Sequence, residues 1–290
     1  QAALSEMGEL IPDPDDAISQ AEPDEPPAHS PAVSILIDGQ WQEFPSASAA
    51  EKASYADFKA ASHRNAQNFR ITDDDLGAGG AKAKFQANLN AIQLLKHLEA
   101  EGLQASPEQQ QVLSRYVGWG GLPDAFDASK PSWASEYQAL KAAFTPEEYT
   151  AARASTLNAH YTSPTVIRAI YEAVGNMGFQ TGNILEPSMG VGNFFGMLPE
   201  EMQSSRLYGV ELDSITGRIA KQLYPKANIT VAGFETTDRR DFFDLAVGNV
   251  PFGQYKVNDP AYNKLGFNIH NYFFAKGLDQ VRPGGVVAFV

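Results

Sequence analysis

From residue 160 onward, short apolar runs alternate with amphipathic stretches, and most of the runs end on an acid or a turn residue. The spacing predicts strands over 183–186, 207–211, 229–232, 244–248 and 286–290. Between them it predicts a helix opened by Thr162-Ser163-Pro164 and carrying Ile167, Ile170, Tyr171 and Val174. Further helices are expected after Gly192 and over 213–223 and 270–281. A strand that returns parallel to its neighbour needs a crossover, usually a helix, so this order implies an α/β fold with a parallel sheet covered on both faces. Ligands in such sheets bind beyond the carboxyl ends of the strands, so the residues just past each strand carry the functional information.

The chain upstream is of another kind. Residues 49–158 read as helical: Phe85, Leu89, Ile92, Leu95 and Leu98 recur at helical spacing over 81–101, and Gly102 follows as a stop. Ser106-Pro107-Glu108-Gln109 and Thr145-Pro146-Glu147-Glu148 each combine a hydroxyl cap, a first-turn proline and a Glu or Gln at the third helical position. Between them, Tyr116-Val117-Gly118-Trp119-Gly120-Gly121-Leu122-Pro123 reads either as a packed turn around a buried Trp or as a loop touching a ligand. Residues 33–37 with Asp38-Gly39 and Trp41 suggest a short strand and turn. Residues 1–31 hold eight acids and no Lys or Arg, with few large apolar side chains, which reads as a disordered acidic linker. The expected organisation is therefore 1–31 linker, 32–158 mostly helical, and 159–290 the α/β core, cut after its fifth strand. The Gln start suggests a fragment of something longer.

Composition removes several chemistries. There is no cysteine, so no disulfide, thiolate site or Cys nucleophile, and the five histidines lack metal-ligand spacing, so no metal is expected. With no basic, apolar leader and no long apolar run, the reading is cytoplasmic, with no membrane partner. The net charge of -13 lies largely in the first 31 residues; residues 160–290 carry 11 basic and 12 acidic side chains. A nearly neutral core binds nucleic acid only through a local patch or through parts elsewhere.

The strand ends bear the motifs. Ile184-Leu185-Glu186 runs into Pro187-Ser188-Met189-Gly190-Val191-Gly192-Asn193-Phe194. A dinucleotide fingerprint would place a third glycine where Phe195 stands, and no Gly-Lys-Ser/Thr of a phosphate loop is present, which disfavours a dehydrogenase-like reading. Glu211 ends the next strand, 25 residues after Glu186, where an acid can accept both hydroxyls of a ribose; Asp213 caps the helix that follows. Asp244-Leu245-Ala246-Val247-Gly248 ends in Asn249-Val250-Pro251-Phe252. An aromatic amine is a poor nucleophile because its lone pair is spread into the ring. An amide oxygen and a backbone carbonyl can accept its protons and hold the nitrogen in line for attack.

Acid-Pro-x-x-Gly-x-Gly-x-Phe, the acid after the second strand and Asn-x-Pro-aromatic, in this order over about 130 residues, resemble the N6-adenine DNA methyltransferases that use S-adenosylmethionine. That resemblance implies a Rossmann-like methyltransferase sheet. It gives Asn249, Pro251 and Phe252 the catalytic place, with Phe252 stacking on a base swung out of the duplex. It gives Tyr161, Thr162, Glu186, Pro187, Gly190, Gly192, Phe194, Glu211, Leu212, Phe234 and Glu235 to the cofactor. Two positions depart from the pattern: Val250 stands where a proline is usual, and Gly233 where an acid would meet the adenine amine, so that either Glu235 substitutes or the contact is lost. His270 reads as a helix cap or core contact rather than a catalyst. Gly-Trp-Gly-Gly-Leu-Pro, His160-Tyr161-Thr162-Ser163-Pro164 and Asn-Val-Pro-Phe-Gly together resemble large phage and mobile-element proteins that join such a domain to a helicase, which implies DNA and a fused helicase as partners. A degenerate domain that binds without turnover is the alternative.

Overall fold

The computed structural model describes residues 33–37, 40–74, 77–157 and 162–290; the expectations for residues 1–31 and for Tyr161 lie outside these. The chain divides into two compact units, one through Asp57 and one from Phe58. The first holds an antiparallel hairpin of β1 (Val33–Ile37) and β2 (Gln40–Phe44), with Val33 opposite Phe44 and Ile37 opposite Gln40. Next comes α1 (Ala47–Arg64), whose first turn is capped by Ser46 Oγ accepting from Ala49 N.

The second unit opens with helices. α2 (Ala81–Glu101) ends at Gly102, which takes the left-handed conformation at φ 65°. α3 (Pro107–Leu113) and α5 (Pro146–Ala154) both begin with the reciprocal capping box read from the sequence, and α4 (Ala134–Ala143) lies between them. Of the two readings of the 116–123 segment, packing is the one observed. Trp119 is 1% exposed and meets the rings of Phe85, Tyr116, Phe126 and Phe144 edge-on at 5.3–6.4 Å. The buried Asn88 amide holds this turn by donating to Gly118 O and accepting from Val117 N, and Gly118 takes φ 66°.

After these helices come α6 (Pro164–Asn176), β3 (Asn183–Glu186), α7 (Asn193–Gly196), β4 (Arg206–Glu211), α8 (Ser214–Leu223), β5 (Asn228–Val231), β6 (Phe243–Gly248), α9 (Ile269–Gln280) and β7 (Val281–Phe289). The five strands form one parallel sheet in the order β5-β4-β3-β6-β7. The chain therefore steps outward from β3 to β4 and β5, then returns to lay β6 on the other side of β3. That reversal puts a topological switch point between β3 and β6, where neighbouring connections depart to opposite faces and leave a crevice.

The strand residues alternate between two apolar cores, as a parallel sheet covered on both sides requires. Ile184, Leu207, Leu245 and Val247 join one core with α6, α8 and the helices of residues 81–154. Leu185, Val210, Ala246 and Val250 join the other, with Phe234 and the α9 residues Tyr272 and Phe273. The upstream helices are tied to α8 by charge as well. Arg218 Nε donates to Glu99 on α2 at 2.7 Å, and its Nη1 donates to Glu148 on α5 at 3.0 Å.

Two elements differ from the sequence reading. α7 is a single turn, because Gly196 packs against Ile71 and Tyr224, leaving no room for a side chain, and Pro199 disfavours helix in the residue before it. β7 begins at Val281, five residues early. The Arg282-Pro283-Gly284-Gly285 stretch is absorbed as an irregularity in the β6–β7 register, with Gly284 at φ 81°. At the margin of a sheet, a proline costs no ladder bond that the strand needs.

Candidate active site

The carboxyl edge of the sheet gathers the chemistry of four adjacent strand ends. At the end of β3, Glu186 is 2% exposed, and its Oε2 has no hydrogen-bond partner among the described residues. Burial, and then the nearby charge of Glu211, push its pKa well above the usual carboxylate value. Pro187 is buried beside it, and the turn bends back through Gly190 at φ 56° and Gly192 at φ 86°. A side chain on Gly192 would strike the ring of Tyr224, so this glycine is demanded by strand-to-helix packing. Phe194 is buried edge-on to Tyr171, 6.1 Å away, which makes its side chain a core group rather than a pocket wall.

At the end of β4, Glu211 binds the glycine turn directly. Its Oε2 accepts from Gly190 N and its Oε1 from Asp213 N, both at 2.8 Å. Burial raises the Glu211 pKa; the two backbone amides offset part of that rise and leave it at about 7. A carboxylate offers about four acceptor sites, more than these two bonds use. Asp213 caps α8 by accepting from Thr216 N at 2.8 Å, the role read from its position. Leu212 between the two acids is 76% exposed. Thr162 is half-buried just ahead of α6, whose N-cap Ser163 makes no side-chain cap bond.

At the end of β5, the carboxyl of Glu235 lies where a side chain on Gly233 would be, so an acid does occupy that place, one turn position late. Phe234 does not offer an open face. Its ring is buried against Phe273 at 5.0 Å and Tyr272 at 6.2 Å, because α9 covers it.

At the end of β6, Gly248 takes φ 147°, and its Cβ position lies 3.3 Å from Glu186 Cγ, so β3 and β6 approach closely just before Asn249. Asn249 and Pro251 are half-buried. Val250 is buried, and its N–H donates to Val290 O at 3.1 Å. A proline could not make that bond. At the position that departs from the pattern, the backbone is held by Val290, the residue after β7, in place of a rigid ring. Phe252 is 78% exposed, with one face stacked on His270 at 4.7 Å and 15°. His270 is not the cap of α9: Asn268 Oδ1 accepts from Asn271 N and fills that role.

One cluster has no signature in the sequence. Asp259 and Lys276, 17 residues apart, form a buried ion pair at 2.8 Å. Tyr272 OH donates to the same carboxyl oxygen at 2.8 Å, and Lys276 also donates to Glu235 O at 3.2 Å. Burial pushes the Asp259 carboxyl up, but the hydrogen bonds from Lys276 and Tyr272 pull it further down, leaving it below the usual carboxylate range. Asp259-Pro260 looks like any turn, and no local pattern signals a partner on a later helix. Among the described residues, no group of three or more His, Asp or Glu could hold a metal ion, and no helix is long and apolar enough to cross a membrane.

No family model matches the chain. Over 216 residues, 72% of the chain, it is 28% identical to Defense against restriction protein B of Escherichia phage P1, and the match covers 8% of that protein. Over 103 residues, 34% of the chain, it is 34% identical to Type II methyltransferase M.CvrRI of Paramecium bursaria Chlorella virus XZ-6E, covering 26% of it. The chain thus spans about a quarter or less of the curated relatives it matches. Among solved structures, the O-methyltransferase from Bacillus cereus is 19% identical, covers 58% of this chain and 71% of its own, and has a TM-score of 0.30, which adds nothing to the topology already described. By its own sheet order the chain holds an α/β domain with a Rossmann-like parallel sheet, and in sequence it is similar to these two relatives.

Proposed function

We propose that this domain binds S-adenosylmethionine across the ends of β4 and β3 and presents Asn249 to the exocyclic N6 amine of adenine in DNA. The observation that carries this reading is the switch point. It sets the Glu211–Gly190 bond, the buried Glu186 and the Asn249-Val250-Pro251-Phe252 segment on the carboxyl ends of adjacent strands. The donor set suits the cofactor, with the remaining acceptor capacity of Glu211 for its ribose hydroxyls and the Glu235 carboxyl for its adenine amine. When bound, S-adenosylmethionine supplies a methyl group on a positively charged sulfur. The protein's part is to accept the amine protons at Asn249 Oδ1 and the backbone carbonyl beyond it, which concentrates the lone pair on nitrogen. Phe252 offers its free face to the base. The name of the viral relative supports methyl transfer, and the 8% of the phage relative that the match covers supports a domain that works beside others.

Calorimetric titration with S-adenosylhomocysteine tests the first half: binding is expected, and Glu211→Ala is expected to abolish most of it. No heat with the unaltered chain overturns the cofactor reading. Tritium transfer from labelled S-adenosylmethionine to DNA tests the second half. Binding without transfer favours the second reading, a domain that binds without turnover, to which the buried Phe234 and the displaced acid at Gly233 point.

A further inference from the structure

The turn after β5 is gripped from α9 by two buried donors. Lys276 Nζ donates to Glu235 O at 3.2 Å, and Gln280 Nε2 donates to Thr237 Oγ1 at 2.8 Å. The two side chains are four residues apart, so they stand one above the other on a single face of α9. They are 4% and 2% exposed. The same helix lays Tyr272 and Phe273 over Phe234, the residue before Glu235.

Packing alone does not call for such residues. A buried ammonium needs a charged partner, and Asp259 supplies one at 2.8 Å. A buried amide needs its bonds made, yet Gln280 Oε1 has no hydrogen-bond partner among the described residues. An apolar side chain at either position would fill the space without these demands. The turn also closes without them: Thr236 N bonds to Gly233 O and Thr237 N to Phe234 O, both at 3.1 Å, and the two threonine hydroxyls repeat those bonds. What the donors from α9 add is a fixed place for the Glu235 backbone. Glu235 is itself exposed, and its carboxyl curls back into the space that a side chain on Gly233 would take, so glycine at 233 is what leaves room for it.

We propose that Lys276 and Gln280 are positioning residues: they fix this turn so that the Glu235 carboxylate meets the exocyclic amine of the cofactor's adenine, and they thereby set the preference of the site for a purine that carries that amine. A carboxylate only accepts hydrogen bonds, so it rewards a purine with a proton to give at that edge and gains nothing from one without. The proposal rests on the cofactor reading above and adds to it how the base is chosen.

Calorimetric titration of the full chain with S-adenosylhomocysteine and with its deamino analogue, in which hydrogen replaces the exocyclic amine, tests this. The unaltered chain is expected to bind the amine-bearing form about tenfold or more tightly, the scale of one hydrogen bond to a charged group. Lys276→Met combined with Asp259→Asn removes the ammonium and leaves no buried charge, and should bring that ratio close to unity. Gln280→Leu, which removes no charge, should lower the ratio about threefold, the scale of one neutral hydrogen bond, and carries the test by itself if the double variant does not fold. A purely structural role would weaken both ligands alike and leave the ratio unchanged. In a Glu235→Ala background the same substitutions should no longer move it. Equal affinity for the two ligands in the unaltered chain, or an undiminished ratio in a folded variant, overturns the inference and leaves the cofactor reading standing. No binding of either ligand by the unaltered chain overturns both.

Discussion

On the β3–β4 side of the strand-end edge, the working groups are enclosed: Glu186 is buried, Glu211 is held by two backbone amides, and the glycine turn is packed on Tyr224. On the β6–α9 side they face outward: Phe252, Tyr255, Lys256 and Lys264 are exposed. The signs differ as well, carboxyls on one side and ammonium groups on the other. A small cation of fixed shape is best met by a rigid acidic site, because nothing about it varies. A polyanion with changing bases is best met by rings and amides that accept any base and by charges that meet every phosphate. Both kinds of surface lie along the carboxyl-end edge of one sheet.

The firmest way to break this contrast is at the buried ion pair. Asp259→Ala leaves the Lys276 ammonium buried without its partner and is expected to cost about 3–5 kcal/mol. Amide exchange should accelerate over 254–268 while 184–211 stays protected; simultaneous loss of both would show that the two sides are not separate. Next in size, Asn249→Ala should lower methyl transfer by about 100- to 1,000-fold with S-adenosylhomocysteine affinity unchanged, as steady-state kinetics beside calorimetry would show. Phe252→Ala should weaken binding of a DNA strand by about 1–3 kcal/mol and leave the cofactor side untouched; a matching loss of cofactor affinity would mean the two surfaces are coupled.

The smallest expected effect sharpens the acidic side. The Glu211 pKa is raised to about 7, so in the free protein its protonated form is favoured, and stability declines as pH rises from the ordinary carboxylate value through about 7. A ribose diol binds the ionised form better. Affinity for S-adenosylhomocysteine should therefore rise about tenfold from pH 6 to pH 8, the ratio of ionised carboxyl at those two values, with a proton released on binding at the lower pH. A flat profile would place the diol elsewhere.

Much of this is legible in the sequence because it rests on local physics. The strands of the sheet, both capping boxes, the stop at Gly102 and the cap at Asp213 each follow from a few adjacent residues. The placement of Glu186, Glu211 and Asn249 at strand ends is legible because the apolar run before each of them marks the strand, wherever that strand sits. Phe234 misleads because nothing near it in sequence says that α9 will cover it, and the partners of His270 and Asp259 are hidden because they lie 18 and 17 residues away.

The amino-acid order thus determined which segments become strands and which chemical groups end them, since periodicity, caps and turns act over a few residues. The tertiary structure alone decided that β6 returns beside β3, that Val250 is held by Val290, and which aromatic rings are covered and which stay open. Those outcomes depend on contacts between distant segments, whose energies no local stretch of chain contains.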